Sequence, residues 1–177
     1  MGFPKALLRH RGSTFLETTL AAVRSSSLGQ EIVVVGHHKN EILAAVELPH
    51  WVYNKDYEDG MTTSIQAGIR ELRADADAAM MFLVDHPISD IDTIEALIGS
   101  FTPGHISLPV FEERRGHPVL FSREALDEIL SLPADTGANM VVRHDPERII
   151  QVVVRDRAVV ADIDTPKQFD EWKRSES

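Results

Sequence analysis

Ala79-Met80-Met81-Phe82-Leu83-Val84 is the most continuous apolar run in the chain, and it ends at Asp85-His86-Pro87. A stretch that is apolar at successive positions has no polar face to offer water. It therefore reads as a strand covered on both faces, at the centre of a sheet. Upstream, Glu31-Ile32-Val33-Val34-Val35 is a second strand that stops at Gly36, and Trp51-Val52-Tyr53 is a brief third. Helical patterns alternate with these strands. One opens at Ser13 or Thr14 and puts Phe15, Leu16, Thr19, Leu20 and Val23 on one face. A short one covers 40–46, and another covers 62–72 with Ile65, Ile69 and Leu72 inward. Downstream, Asp90 caps a helix carrying Ile91, Ile94, Leu97 and Ile98.

The second half reads differently. Residues 106–110 and 118–121 are strands around the polar turn Glu112-Glu113-Arg114-Arg115-Gly116, which predicts a hairpin-like excursion on the main sheet. Ser122 begins a helix through Leu130, residues 136–144 form another, and 149–154 is a strand. Val159-Val160 leads into Asp162-Ile163-Asp164, and Thr165-Pro166 opens the last helix with proline where a helix tolerates it. There is no repeat, linker or low-complexity tract. The alternation predicts one α/β domain over residues 1–177, in three layers (α/β/α), with a mostly parallel sheet and an antiparallel excursion in its second half.

Composition narrows the function. Hydrophobic residues make up 43% of the 177 and charged residues 26%, which is globular. Acidic residues outnumber basic ones by 28 to 18, for a net charge of −10, which argues against a nucleic-acid partner needing a basic face. A small polyphosphate ligand needs only one or two placed cations and a metal. Cysteine is absent, so disulfides and thiolate metal sites are excluded. No apolar stretch approaches the roughly 20 residues of a membrane span and no signal-type leader is present, so the expectation is a soluble, cytoplasmic protein without a membrane partner.

In open α/β sheets ligands bind beyond the carboxyl ends of the strands, and acidic residues fall there twice. Asp85 ends the central strand, and Asp162 and Asp164 follow the last one. Carboxylates from two strand ends suit Mg²⁺, which takes a few oxygen ligands plus substrate phosphates. Unmetallated at about 4 Å, two such charges repel by roughly 4 kcal/mol at an effective dielectric near 20. The plainer alternative makes Asp85 a turn former before Pro87 and Asp164 the cap of the last helix. Lys5 either neutralises phosphate charge in transfer or is a solvated surface lysine. Asp59-Gly60-Met61-Thr62-Thr63-Ser64 runs into a helix whose amino end either binds an anion or is simply capped. His37-His38, adjacent and pointing apart, are a poor metal site. Arg114, Arg115 and His117 border the hairpin turn, and no Ser/His/Asp arrangement can be picked out by spacing.

Six segments occur in order: Gly2-Phe3-Pro4-Lys5-Ala6-Leu7-Leu8, Gly60-Met61-Thr62-Thr63-Ser64, Asp85-His86-Pro87, Arg115-Gly116-His117-Pro118-Val119-Leu120-Phe121, Asp135-Thr136-Gly137-Ala138 and Asp162-Ile163-Asp164-Thr165-Pro166. Together they resemble the molybdenum cofactor cytidylyltransferase branch of the MobA-like NTP-transferase family, nearly end to end. The resemblance implies a Rossmann-like nucleotide-binding fold and Mg²⁺-dependent transfer of CMP from CTP, or another NTP, to a molybdopterin-type acceptor, with release of pyrophosphate. By the same resemblance Lys5 is the phosphate-binding lysine and Asp85 the metal-binding aspartate. Asp164, or failing that Asp162, is the second metal ligand. Gly60, Thr62, Thr63 and Ser64 belong to the nucleotide pocket, and Gly116, His117 and Pro118 face the pterin.

The family begins with an apolar strand and a glycine-rich loop directly before its methionine-glycine-x-proline-lysine, and these have no counterpart ahead of Met1-Gly2. The expectation is a sheet with a place for one more strand between residues 31–35 and 79–84. Competing readings are a nucleotidyltransferase with a sugar or alcohol phosphate as acceptor, and a non-catalytic protein holding pterin cofactor for a molybdenum hydroxylase or its maturation factor.

Overall fold

The computed structural model describes residues 4–86, 90–163 and 165–175. Strands β1 (Arg9–His10) and β2 (Ser13–Thr14) make a small antiparallel hairpin that turns through Arg11 and Gly12 at positive φ (49° and 92°). The helix expected from Ser13 or Thr14 starts one residue later, as α1 (Phe15–Ser25), because Thr14 serves as its cap. The Thr14 hydroxyl accepts from the Glu17 amide at 3.1 Å and the Glu17 carboxylate accepts from the Thr14 amide at 2.7 Å. Phe15, Leu16, Leu20 and Val23 are buried along α1 as their spacing demands.

Next come β3 (Val33–Val35), α2 (Lys39–Ala45), β4 (Trp51–Tyr53) and α3 (Met61–Arg70). β3 and β4 pair in parallel, Val34 opposite Val52. A Cβ on Gly68 would come within 3.1 Å of Val34 Cγ2, so glycine lets α3 lie close on β3.

The remaining elements are β5 (Ala78–Met81), α4 (Ile91–Gly99), β6 (Ile106–Phe111), β7 (Arg114–Arg115), β8 (Val119–Ser122), α5 (Arg123–Leu130), α6 (Asn139–His144), β9 (Ile149–Val153) and α7 (Pro166–Ser175). Here the antiparallel excursion takes definite form. β6 and β7 are a hairpin, and β8 inserts between β5 and β6, antiparallel to both. β9 pairs in parallel with β6. Thus β5, β6 and β9 run one way, and their carboxyl ends share one edge. The core of this mixed sheet packs Ile106, Phe121 and Val119 against Leu126 and Ile129 of α5 and Ile69 of α3. Phe121, Ile106 and Ile129 are essentially fully buried, each contributing about 1.5–3 kcal/mol of transfer free energy.

The run expected at the sheet centre behaves differently from a fully enclosed strand. Only its first half pairs, and β5 is half-buried throughout. One edge of β5 meets β8. The other looks across an apolar slot of about 760 Å³ whose opposite wall includes Val33, Val34 and Val35 of β3. Leu16 and Leu20 of α1 and Ile65 of α3 also line it. Finally, α7 docks on the start of the chain through aromatic edges, with Trp172 5.4 Å from Phe15 and 4.5 Å from His10, and Phe169 5.6 Å from Phe15. Among the described residues no helix is long and apolar enough to cross a membrane.

Candidate active site

Pro4 ends extended and the chain then tightens into a single turn over Lys5–Leu7, closed by the Leu7 amide on the Pro4 carbonyl at 2.9 Å. Ala6 is buried against α1 and β3, which anchors the turn and leaves Lys5 pointing to the carboxyl edge of the sheet. There the Lys5 ammonium lies 3.1 Å from the Asp85 carboxylate, the two side chains 28 and 24% exposed. Asp85 itself sits in a turn after β5, where the His86 amide donates to Leu83 at 3.1 Å.

The second acidic segment comes to the same place. The Ile163 amide donates to the Asp85 carbonyl at 3.3 Å, and Ile163 is 1% exposed. Asp162, next to it, is exposed to solvent. Asp164 lies outside the described residues. Among the described residues no group of three or more histidine, aspartate or glutamate side chains gathers as a preformed metal cage. Asp85 and Asp162 are hard carboxylates on segments joined by the Ile163 amide. That fits an ion such as Mg²⁺, which is held by one or two protein oxygens and completed by water and phosphate.

His117 stands beside this pair. Its pKa is lowered to about 4, mainly by burial, next by the neighbouring His86, with Asp85 pulling the other way. The two imidazoles are 4.9 Å apart, centre to centre. His117 Nδ1 is buried without a hydrogen-bond partner among the described residues. Its amide donates to the Val159 carbonyl at 2.9 Å, and His86 Nδ1 contacts that same oxygen at 3.2 Å. Gly116 and Pro118 are both buried. Gly116 has no room for a side chain, since a Cβ there would lie 2.2 Å from the Val159 oxygen.

The Gly60 segment forms a second wall. Gly60 has φ +129°, and a Cβ on it would meet the Ala134 carbonyl at 2.8 Å, so glycine is required twice over. The hydroxyls expected to face a nucleotide turn inward. Thr62 is 1% exposed and donates to the Thr136 carbonyl at 2.6 Å. Thr63 is 9% exposed and contacts the carbonyls of Asp56 (2.9 Å) and Gly60 (2.7 Å). Buried Asn54 ties the wall together, donating to Thr63 Oγ1 at 2.7 Å and to Ser64 Oγ at 2.9 Å. What this segment offers a ligand is therefore main-chain N–H groups at the amino end of α3 and the 60%-exposed Met61.

Asn54 and His86 were not singled out as site residues by their spacing, although Asn54 directly follows a strand and His86 lies inside a quoted segment. His37 and His38 lie in the turn between β3 and α2, His37 Nδ1 3.4 Å from the Tyr57 hydroxyl and His38 Nδ1 2.9 Å from Glu41. Arg114 reaches the Val160 carbonyl at 3.4 Å, and Arg115 is exposed.

A mixed sheet with two reversed strands, a lysine–carboxylate pair at its carboxyl edge and an acidic segment against that pair fit the class of a nucleotide-transferring α/β enzyme. Residues 1–149 match the model of the MobA-like NTP transferase domain, and the chain belongs to that family of nucleotidyltransferases. It is similar to nicotine blue oxidoreductase of Paenarthrobacter nicotinovorans, 27% identical, covering 94% of this chain and 86% of the relative. It is similar to molybdenum cofactor cytidylyltransferase of Escherichia coli (strain K12), 26% identical over 96% of this chain and 86% of that one. Among solved structures it resembles Rv0371c of Mycobacterium tuberculosis H37Rv, determined in complex with manganese. The TM-score is 0.84 and the identity 25%, covering 98% of this chain and 93% of the other.

Proposed function

We propose that this nucleotidyltransferase transfers CMP from CTP to a molybdopterin-type molybdenum cofactor, using Mg²⁺ and releasing pyrophosphate. The observation that carries this reading is the Lys5–Asp85 pair at 3.1 Å with Ile163 hydrogen-bonded to the Asp85 main chain. A cation suited to phosphate beside a carboxylate suited to a metal supports it. The E. coli relative's name supports the cytidylyl transfer, and the manganese of the mycobacterial structure supports a divalent ion.

In this reading an acceptor phosphate oxygen attacks the α-phosphorus of CTP, the bond from that phosphorus to the β-phosphate bridge breaks, and pyrophosphate departs. Protein groups position and neutralise. Lys5 swings from Asp85 to the phosphates. Asp85 with Asp164, or Asp162, would hold the metal, which would supply positive charge to offset that of the phosphates. Main-chain groups of the Gly60–Ser64 segment hold the nucleotide, and Gly116, His117 and Pro118 face the pterin. The slot between β3 and β5 takes one more extended apolar strand, the place of the family's first strand and glycine-rich loop, within a single domain.

Acceptor-dependent pyrophosphate release tests it. A redox reaction would not yield this product. CTP should be preferred strongly over GTP, and over UTP by roughly ten- to a hundredfold, since one unpaired polar group costs about 1–3 kcal/mol. Asp85→Ala should abolish the release. Equal or better use of GTP would overturn the cytidylyl assignment.

A further inference from the structure

We infer that His86 is a positioning residue. Through the Val159 carbonyl it fixes the Asp85 turn to the segment that carries Asp162, and so sets the distance between the two carboxylate loops. The inference rests on the metal reading of Asp85 given above.

A carbonyl oxygen only accepts hydrogen bonds, so the 3.2 Å contact requires the proton of His86 on Nδ1. The same oxygen takes the His117 amide at 2.9 Å, which fills its two lone pairs. Three loops therefore meet at one atom: the turn after β5 with Asp85, the turn before β8 with Gly116 and His117, and the segment after β9. His86 is 9% exposed, Val159 0%, and Gly116 leaves no space for the oxygen to move toward it. Among the hydrogen bonds of the described residues, the other direct tie from the Asp85 turn to the 157–163 segment is the Ile163 amide on the Asp85 carbonyl at 3.3 Å. The imidazole is thus one of two links between these loops, and the one made by a side chain. Partners of this kind, one step behind a metal ligand, typically change metal affinity 10- to 100-fold when lost.

Two measurements at pH 8 test this on the nucleotide-free chain. The first is the ¹⁵N–¹H pattern of the histidine side chains, with His86 identified by its loss in His86→Asn. The Nδ1–H tautomer is expected, and an Nε2–H tautomer would overturn the inference. The second is Mn²⁺ affinity by electron paramagnetic resonance for wild type, His86→Leu, His86→Asn and Asp85→Asn. His86→Leu should lose 10- to 100-fold in affinity, and His86→Asn, whose amide N–H stands near the position of Nδ1, should recover most of it. If Asp85→Asn loses Mn²⁺ and His86→Leu does not, the role of His86 falls alone. If Asp85→Asn binds Mn²⁺ as wild type does, the metal reading of Asp85 fails and takes the inference with it. Should His86→Leu fold poorly, the asparagine variant and the wild-type tautomer still decide the matter.

Discussion

Replacing His117 with leucine removes a half-buried imidazole whose folded pKa is about 4 against an ordinary 6.5. Above pH 6.5 both the folded and unfolded states carry it neutral, and it adds nothing to the pH dependence. As the pH falls below 6.5 the unfolded chain takes up a proton that the folded site refuses. Stability is lost progressively until about pH 4, below which the loss is complete. With these two values the cost between pH 7.5 and pH 5 is about 2 kcal/mol, approaching about 3 kcal/mol further down. The groups facing the ring are His86, which reinforces the shift, and Asp85, which opposes it. Carboxylates held below their ordinary range, such as Glu17 by its Thr14 hydrogen bonds and Glu128 by Arg148, titrate below this window. Leucine also costs little at neutral pH, because Nδ1 forgoes no partner among the described residues. Urea unfolding, followed by the fluorescence of the two tryptophans, should be run on both proteins from pH 7.5 to pH 5. The wild type should lose about 2 kcal/mol more than His117→Leu across that range. Parallel curves would refute the burial argument for this histidine.

Two further outcomes follow from the packing. Gly116→Ala puts a Cβ 2.2 Å from the Val159 oxygen, so the turn must shift and the His117 amide bond with it. A loss of about 1–3 kcal/mol is expected by urea unfolding, and wild-type stability would mean the turn is not held there. An apolar peptide with the family's first-strand pattern, added in trans, should raise the melting temperature and protect the amides of β3 and β5 from hydrogen exchange, because both flank the same slot. Unchanged exchange at Val33–Val35 and Ala78–Met81 would remove the added strand.

The alternation of strand and helix was legible because it rests on local periodicity. Phe15, Leu20, Ile69 and Leu97 are buried where their spacing puts them. Boundaries shifted where a side chain had another task, as when Thr14 capped α1 and so could not begin it. The insertion of β8 between β5 and β6 was not legible. It pairs Ala78 with Ser122, over forty residues away, and nothing local in either stretch encodes that partner. That Asp85 and the segment after β9 come to one edge could be read from strand ends, since parallel strands deliver their carboxyl ends there, but the Lys5–Asp85 contact could not, because Lys5 sits in a turn and follows no strand. Thr62 and Thr63 misled for an equally physical reason: sequence marks a hydroxyl near a helix start but not whether it turns toward solvent or toward a neighbouring carbonyl.

The quoted segments also work in joined groups. Residues 60–64 and 134–138 are one unit, joined by the Thr62 hydroxyl on Thr136 and by a contact with Ala134 that only glycine at position 60 allows. Residues 85–86, 116–117 and 159–163 are another, joined at the Val159 carbonyl and the Ile163 amide. In each unit the meeting point is a main-chain atom, which has no signature in sequence. What the sequence carries is the condition for the approach: a glycine where a Cβ would collide, and a donor side chain opposite a carbonyl. Glycine at 116 therefore matters to the candidate site as Lys5 and Asp85 do, because it lets the turn before β8 close on the segment that is joined to the Asp85 turn.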